Sequence, residues 1–161
     1  MAENRPFGSG AHRLAKHTLV GNSQEVAMTI DVGQKITTPF NEDILARTRR
    51  NSYFREVLST GPHAQVVVMC IPPAGEIGEE VHTDVDQVLV FVEGEGIAVL
   101  DGRRSPVSPG RLVLVPAGTR HNFVNESSDD LKLYTVYTAP KHAPGTIHRT
   151  KAEADADEGP D

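Results

Sequence analysis

The chain has 161 residues, 38% of them hydrophobic and 24% charged, with a formal net charge of -6, a composition that fits one soluble domain around one moderate core. The acidic balance, with no clustered basic stripe, argues against nucleic acid as a partner, because phosphate binding works through Lys and Arg that displace counterions. A run of about 18 apolar residues is absent, as is a basic start leading into an apolar stretch, so neither a membrane span nor a secretory signal is read and a cytoplasmic protein is expected.

Residues 1–23 are polar, aperiodic and Gly-containing, which reads as a flexible arm carrying His12 and His17 on the surface. A single domain is expected over 24–150. It opens with a short edge strand over 26–30, followed by a short helix over 41–48 with Asn41 as its cap. Residues 51–58 read as helical or extended, and Gly61-Pro62 as a turn.

From there the pattern is β. Residues 65–71 form an apolar run of strand length, and Cys70 inside it, the single cysteine, reads as a small core residue and excludes an intrachain disulfide. Pro72-Pro73 ends that run, and Gly75 and Gly78 bend the chain toward Glu80. Further strands are expected over 87–93, 96–100, 111–115 and 131–137, with a shorter one after Asp101-Gly102, which is a hairpin turn signal. Many short strands separated by Gly and Pro, with no alternation of helix and strand, point to an antiparallel sandwich or barrel. The last stretch, 151–161, is acidic with nothing apolar larger than Ala, and reads as a disordered tail, at most a frayed helix.

The chemistry-bearing residues lie between 80 and 125. Residues two apart on a strand face the same side, so Glu80 and His82 can point together into a barrel while Val81 points away. Thr83-Asp-Val-Asp86 makes a turn able to bring Gln87 back beside His82, and His121, after the short connection Pro116-Ala-Gly-Thr-Arg120, can enter from the opposite hairpin. Two imidazoles and one carboxylate suit a divalent transition metal, Fe, Mn, Zn, Ni or Cu, with the Gln87 oxygen as a weaker fourth ligand. By spacing alone, Glu-x-His recurs by chance and a polar residue on a strand is more often solvated, so both readings stay open at this point.

Gly110-Arg-Leu-Val-Leu-Val-Pro116-Ala-Gly118-Thr-Arg-His121-Asn-Phe-Val-Asn125 resembles the second motif of the cupin superfamily, Gly-x5-Pro-x-Gly-x2-His-x3-Asn, and the stretch closing on Gly94-Glu-Gly96 resembles the first. The usual first motif is His-x-His-x4-Glu. Counting back from Gly94 sets Gln87 at its Glu, His82 at its second His and Glu80 at its first, while the other register, His82 first and Asp84 second, leaves only two residues before Gln87. The resemblance covers 65–138 and implies an all-β, antiparallel barrel or jelly roll with short peripheral helices, a bound divalent metal and a homodimer. Residues 51–150 also look like small single-domain cupins labelled mannose-6-phosphate isomerase-like.

Around the ligands, Arg120 and Asn122 should point outward, Tyr53, Tyr134 and Tyr137 are candidates for the barrel wall, and 141–148, with His142 and His148, reads as either a lid over the mouth or a surface crossing packed on a partner subunit. The cluster Arg47, Arg49, Arg50 and Arg55 reads as a solvated face. Three functions follow. The first is a metal-dependent isomerase or epimerase of a sugar or phosphosugar, with the ion as Lewis acid. The second is a non-haem iron oxygenase. The third is a barrel that binds a small ligand without turnover.

Overall fold

Strands whose inward residues change from apolar at one end to polar at the other build this protein. The structure, a computed structural model, describes residues 39–158; the arm with His12 and His17, the strand over 26–30 and the end of the acidic tail lie outside the described residues. In chain order the elements are α1 (Ile44–Arg50), β1 (Arg55–Thr60), β2 (Gln65–Ile71), β3 (Glu80–Val81), β4 (Gln87–Glu93), β5 (Gly96–Leu100), β6 (Arg103–Val107), β7 (Leu112–Val115), β8 (Arg120–Val124), β9 (Leu131–Tyr137), β10 (Ile147–His148) and α2 (Lys151–Glu158). One sheet runs β10-β1-β2-β9-β4-β7 and the other β3-β8-β5-β6, every pairing antiparallel. Among the described residues no helix is long and apolar enough to cross a membrane.

Register sets the layers. Leu131 pairs with Ile71 and Leu133 with Met69 and Phe91; these side chains, with Phe123 and Ala98 from the facing sheet, make the apolar floor. One step along, Thr135 pairs with Val67 and Leu89, and at the far end Tyr137 pairs with Gln65 and Gln87. Because strand residues alternate faces, the same alternation that buries the floor carries Gln65, Gln87 and Tyr137 into the interior at its polar end. The outer face of the larger sheet is partly covered by α1, whose Arg47 pairs with Glu56 on β1 while Lys132 on β9 donates to the Arg49 carbonyl at 2.8 Å.

Two local features differ from the sequence reading, and a third decides between its two alternatives for 51–58. Asp43, not Asn41, caps α1: its carbonyl accepts the first helical bond from Arg47 and its side chain accepts from Ala46 N at 3.0 Å. Residues 55–58 are extended, since Asn51 closes the helix and turns the chain by bonding both the N–H and the C=O of Tyr53. Lys151–Glu158 is a helix rather than a disordered tail. Thr150 and Glu153 form a variant of the capping box, the Thr150 hydroxyl accepting from Glu153 N and the Glu153 carboxylate accepting from Arg149 N, one residue before the cap. Ala154, 1% exposed, is small enough to bring the helix against the core, and Asp157 reaches His148 at 3.2 Å.

The Gly94-Glu95-Gly96 corner is where β4 turns over the start of β9. A Cβ on Gly94, which has φ +79, would stand 2.2 Å from the Asp130 carbonyl oxygen, whereas one on Gly102, φ +77 in the β5–β6 turn, would meet nothing within 4 Å. Gly94→Ala is therefore expected to cost about 3 kcal/mol or more, and Gly102→Ala about 1 kcal/mol from backbone strain alone. Urea unfolding of the two variants beside wild type checks the difference.

Candidate metal centre

Two backbone contacts bring the halves of the site together. The β7–β8 turn is laid against the segment between β3 and β4 by Gly118 N–H donating to the His82 carbonyl at 2.6 Å and by Ala117 N–H donating to Asp86 Oδ1 at 2.8 Å. Asp86 is held in turn at the end of β9, exchanging backbone and hydroxyl bonds with Thr138. Glu80 on β3 lies directly opposite His121 on β8 in the ladder, so both side chains take the inward face.

Glu80, His82 and His121 form a group whose ligand atoms lie within 4.8 Å of one another. His82 Nε2 is 3.2 Å and His121 Nε2 3.9 Å from Glu80 Oε2. Both histidines are buried, and neither Nε2 has a hydrogen-bond partner. The lone pairs converge on a common space rather than on each other, which is the arrangement a cation satisfies. His121 is oriented for it: Nδ1–H donates to the Thr119 carbonyl at 2.9 Å, leaving Nε2 with the lone pair. Gln87 donates through Nε2 to Thr135 Oγ1 at 3.1 Å, which turns its buried Oε1, without a hydrogen-bond partner, the other way. The residues fit a divalent transition metal of the borderline kind that takes imidazole and carboxylate. Asp84, required by the other register of the first motif, is exposed and outside the group.

Protonation follows from surroundings. Burial pushes the Glu80 carboxyl up, but His82, whose Nε2 lies 3.2 Å away, and then Arg55 and His121 outweigh it and hold it below the ordinary value. Burial lowers His121, with the Thr119 bond opposing. At neutral pH the centre therefore presents a carboxylate and, at His121, a neutral imidazole.

The structure corrects one expectation here. Arg55 is not on a solvated face with Arg47, Arg49 and Arg50: it is 2% exposed on the inward side of β1, its Nη2 3.8 Å from Glu80 Oε1. Its alternation with inward Val57 is the sequence signal, hidden because 51–58 did not declare itself a strand. The stretch 141–148 crosses the polar end. Gln65, fully buried, accepts from Lys141 N and His142 N and donates to the His142 carbonyl, placing the His142 ring edge-on to Tyr137 with centroids 5.4 Å apart. Tyr137 also meets His82 edge-on at 5.9 Å. Of the other tyrosines, Tyr53 is exposed and Tyr134 half-buried. Arg120 and Asn122 point outward as expected, the first to Glu79 and the second to Glu76 and Gly78 N. Asn125 is structural: fully buried, it donates to the Ile71 and Asp129 carbonyls and accepts from Ser127.

Comparison with known proteins agrees with this fold. A cupin-domain family model matches residues 67–137. The chain is 40% identical over 134 residues to YrkC of Bacillus subtilis (strain 168), an uncharacterized protein, spanning 80% of this chain and 70% of that protein. It is 37% identical over 109 residues to the uncharacterized protein L612 of Acanthamoeba polyphaga mimivirus, spanning 65% and 68% of the two. The crystal structure of BH2720 from Bacillus halodurans superposes with a TM-score of 0.72 at 40% identity over 74% of this chain and 96% of that one. With the β2–β9 segment matched as a cupin domain and relatives aligned along more than two thirds of their own length, the chain belongs to the cupin family.

Proposed function

We propose that this protein is a metal-dependent enzyme that holds one divalent transition metal through Glu80, His82 and His121, with the Gln87 oxygen as a weaker fourth ligand, and acts on a small polar molecule. The observation that carries this reading is the pair of buried imidazole nitrogens, on His82 and His121, that lie beside Glu80 without hydrogen-bond partners. Leaving both unmatched costs about 1–3 kcal/mol each, and a bound cation removes that cost. When present, the ion supplies Lewis acidity to a carbonyl or hydroxyl oxygen of the substrate. The chain's own residues do the rest. Glu80, kept ionised by its neighbours, provides the negative charge; Thr119 and Thr135 fix which atoms His121 and Gln87 present. Phe91, Phe123 and Leu89 close the floor to water.

Sugar isomerisation or epimerisation is the reaction class this favours, supported by the likeness of 51–150 to isomerase-like cupins. A specific observation favours a second reading, a non-haem iron oxygenase: the group holds a single carboxylate, so two histidines and one carboxylate leave open positions, and no further acid in the group serves as a proton carrier. Elemental analysis of protein purified without tag or chelator separates them. About one equivalent of metal per chain is expected, zinc or manganese pointing to isomerase and iron to oxygenase chemistry. Glu80→Ala and His121→Ala should lose it, and Gln87→Ala should weaken it about tenfold or more. Folded wild type that takes up no added metal would overturn the proposal.

Metal-free protein should lose stability on acidification. Burial, together with the Arg55 charge, pushes His142 down to about 3, and burial also lowers His121. The unfolded chain takes up these protons near its ordinary value of about 6.5 while the fold resists them, so their contribution is complete above about pH 6.5 and is lost below it. Glu80, lowered as well, adds to the loss below the ordinary carboxylate value of 4.5. Thermal melts should show Tm falling by roughly 5 °C or more between about pH 7.5 and 4.5, with a flatter profile in His142→Asn.

A further inference from the structure

We propose that a cavity on the outer side of the barrel floor binds a small α-amino acid, its apolar side chain against Phe54, Cys70 and Pro72, its carboxylate at Arg149 and its ammonium at Asp130. The cavity shares no residue with the Glu80–His82–His121 group, and the inference does not rest on the metal reading.

Backbone bonds bring the walls together. Cys70 N–H donates to the Tyr53 and Phe54 carbonyls at 3.1 and 3.3 Å, and Phe54 N–H donates to the Arg149 carbonyl at 3.2 Å, so the chain before β1 and the approach to α2 meet the end of β2. A turn closed by Gly75 N–H donating to the Pro72 carbonyl at 2.9 Å, together with Asp130 before β9, completes the cavity. Strand alternation explains the opening. Met69 and Ile71 fill the core, so Cys70 between them faces the other way. Phe54 and Cys70, 3% and 6% exposed, form its bottom, with Pro72 at the edge. Cys70 adds no charge there, because burial and then the Asp130 carboxylate push its thiol up to about 11. A short hydrocarbon group fits this surface.

Charge and size select the rest of the ligand. Arg149, Asp130 and Glu76 stand exposed on the rim, and among the described residues none of the three belongs to an ion pair. Opposite charges that line one small cavity without pairing leave a gap between them, which a molecule carrying both signs spans. The remaining rim charge, Lys151, is already held by Asp155 at 2.7 and 2.8 Å. Glu76 accepts from Asn122 Nδ2 at 2.8 Å, which leaves Asp130, beside the Cys70 thiol, for the ammonium and Arg149 for the carboxylate. At roughly 30 Å3 for a water-sized group, a cavity of about 230 Å3 holds about eight non-hydrogen atoms, too few for a sugar phosphate. An α-amino acid carries both charges and its side chain on one carbon, so the two charges reach opposite sides of the rim while the side chain turns to the bottom. Valine has the matching size.

The test is calorimetry on the whole 161-residue chain with L-valine, isovalerate, which lacks the ammonium, and isobutylamine, which lacks the carboxylate. Valine is expected to bind at least about fivefold tighter than either. Arg149→Met should weaken valine binding by about fivefold or more and leave isobutylamine binding within about twofold of wild type. Asp130→Asn should weaken valine binding likewise and leave isovalerate binding within about twofold. Both side chains are exposed, so the urea midpoint should stay where it is in either variant. No binding of valine to wild type overturns the proposal, as does isovalerate or isobutylamine binding as tightly as valine. A folded variant that binds valine as wild type does also overturns it. The wild-type comparison of the three probes decides even where a variant does not fold.

Discussion

The structure depends on one constraint, the shared register of β2, β4 and β9. Because Leu131 and Leu133 meet apolar partners across the ladder, Thr135 stands between Val67 and Leu89, and Tyr137 meets Gln65 and Gln87, the barrel interior is sorted along its length into an apolar floor and a polar end. A one-residue slip of β9 would turn that whole series outward. Everything chemical sits at the polar end, and what stabilises the fold sits beneath it. The two demands are separated in space rather than balanced at each residue.

That sorting explains how so many polar groups are buried without unravelling the sheet. Gln65 and Asn125 use donors and acceptors together on backbone, each tying segments distant in sequence: the first fixes 141–142 over the interior, the second joins the end of β2 to the β8–β9 turn. These are satisfied networks and contribute stability. The imidazoles of the centre are different. Their Nε2 atoms are buried beside a carboxylate without hydrogen-bond alignment, an arrangement that raises the energy of the metal-free fold and lowers it when a cation is bound.

Much of this was legible in the residues. The strand runs and the Asp101-Gly102 turn stand where alternation and turn chemistry put them, and the register that pairs Glu80 with His82 is the one whose side chains meet in space, Asp84 remaining exposed. Arg55 was not legible, since an Arg near Arg47, Arg49 and Arg50 looks like part of a charged surface until the helix is seen to end at Arg50 and the chain to become a strand. The C-terminal helix was missed for a different reason. Composition made it look disordered, while a variant capping box and one alanine methyl, features too small to change the composition, were sufficient to dock it.

Family membership certifies the scaffold more than the chemistry. In the second motif Gly118 sits at φ +83 in the turn that carries the bond to His82, and Asn125 is wholly engaged in structure; His121 alone points a ligand atom inward. The departures in the first motif are therefore the more informative residues. Relative to His-x-His-x4-Glu, this chain keeps one carboxylate and two imidazoles but moves the carboxylate from the β4 position, now Gln87, to the β3 position, Glu80. Gln87 faces Thr135, a neutral partner, and Glu80 faces Arg55. The exchange leaves the charge of the ligand set unchanged and places its negative member beside the buried cation.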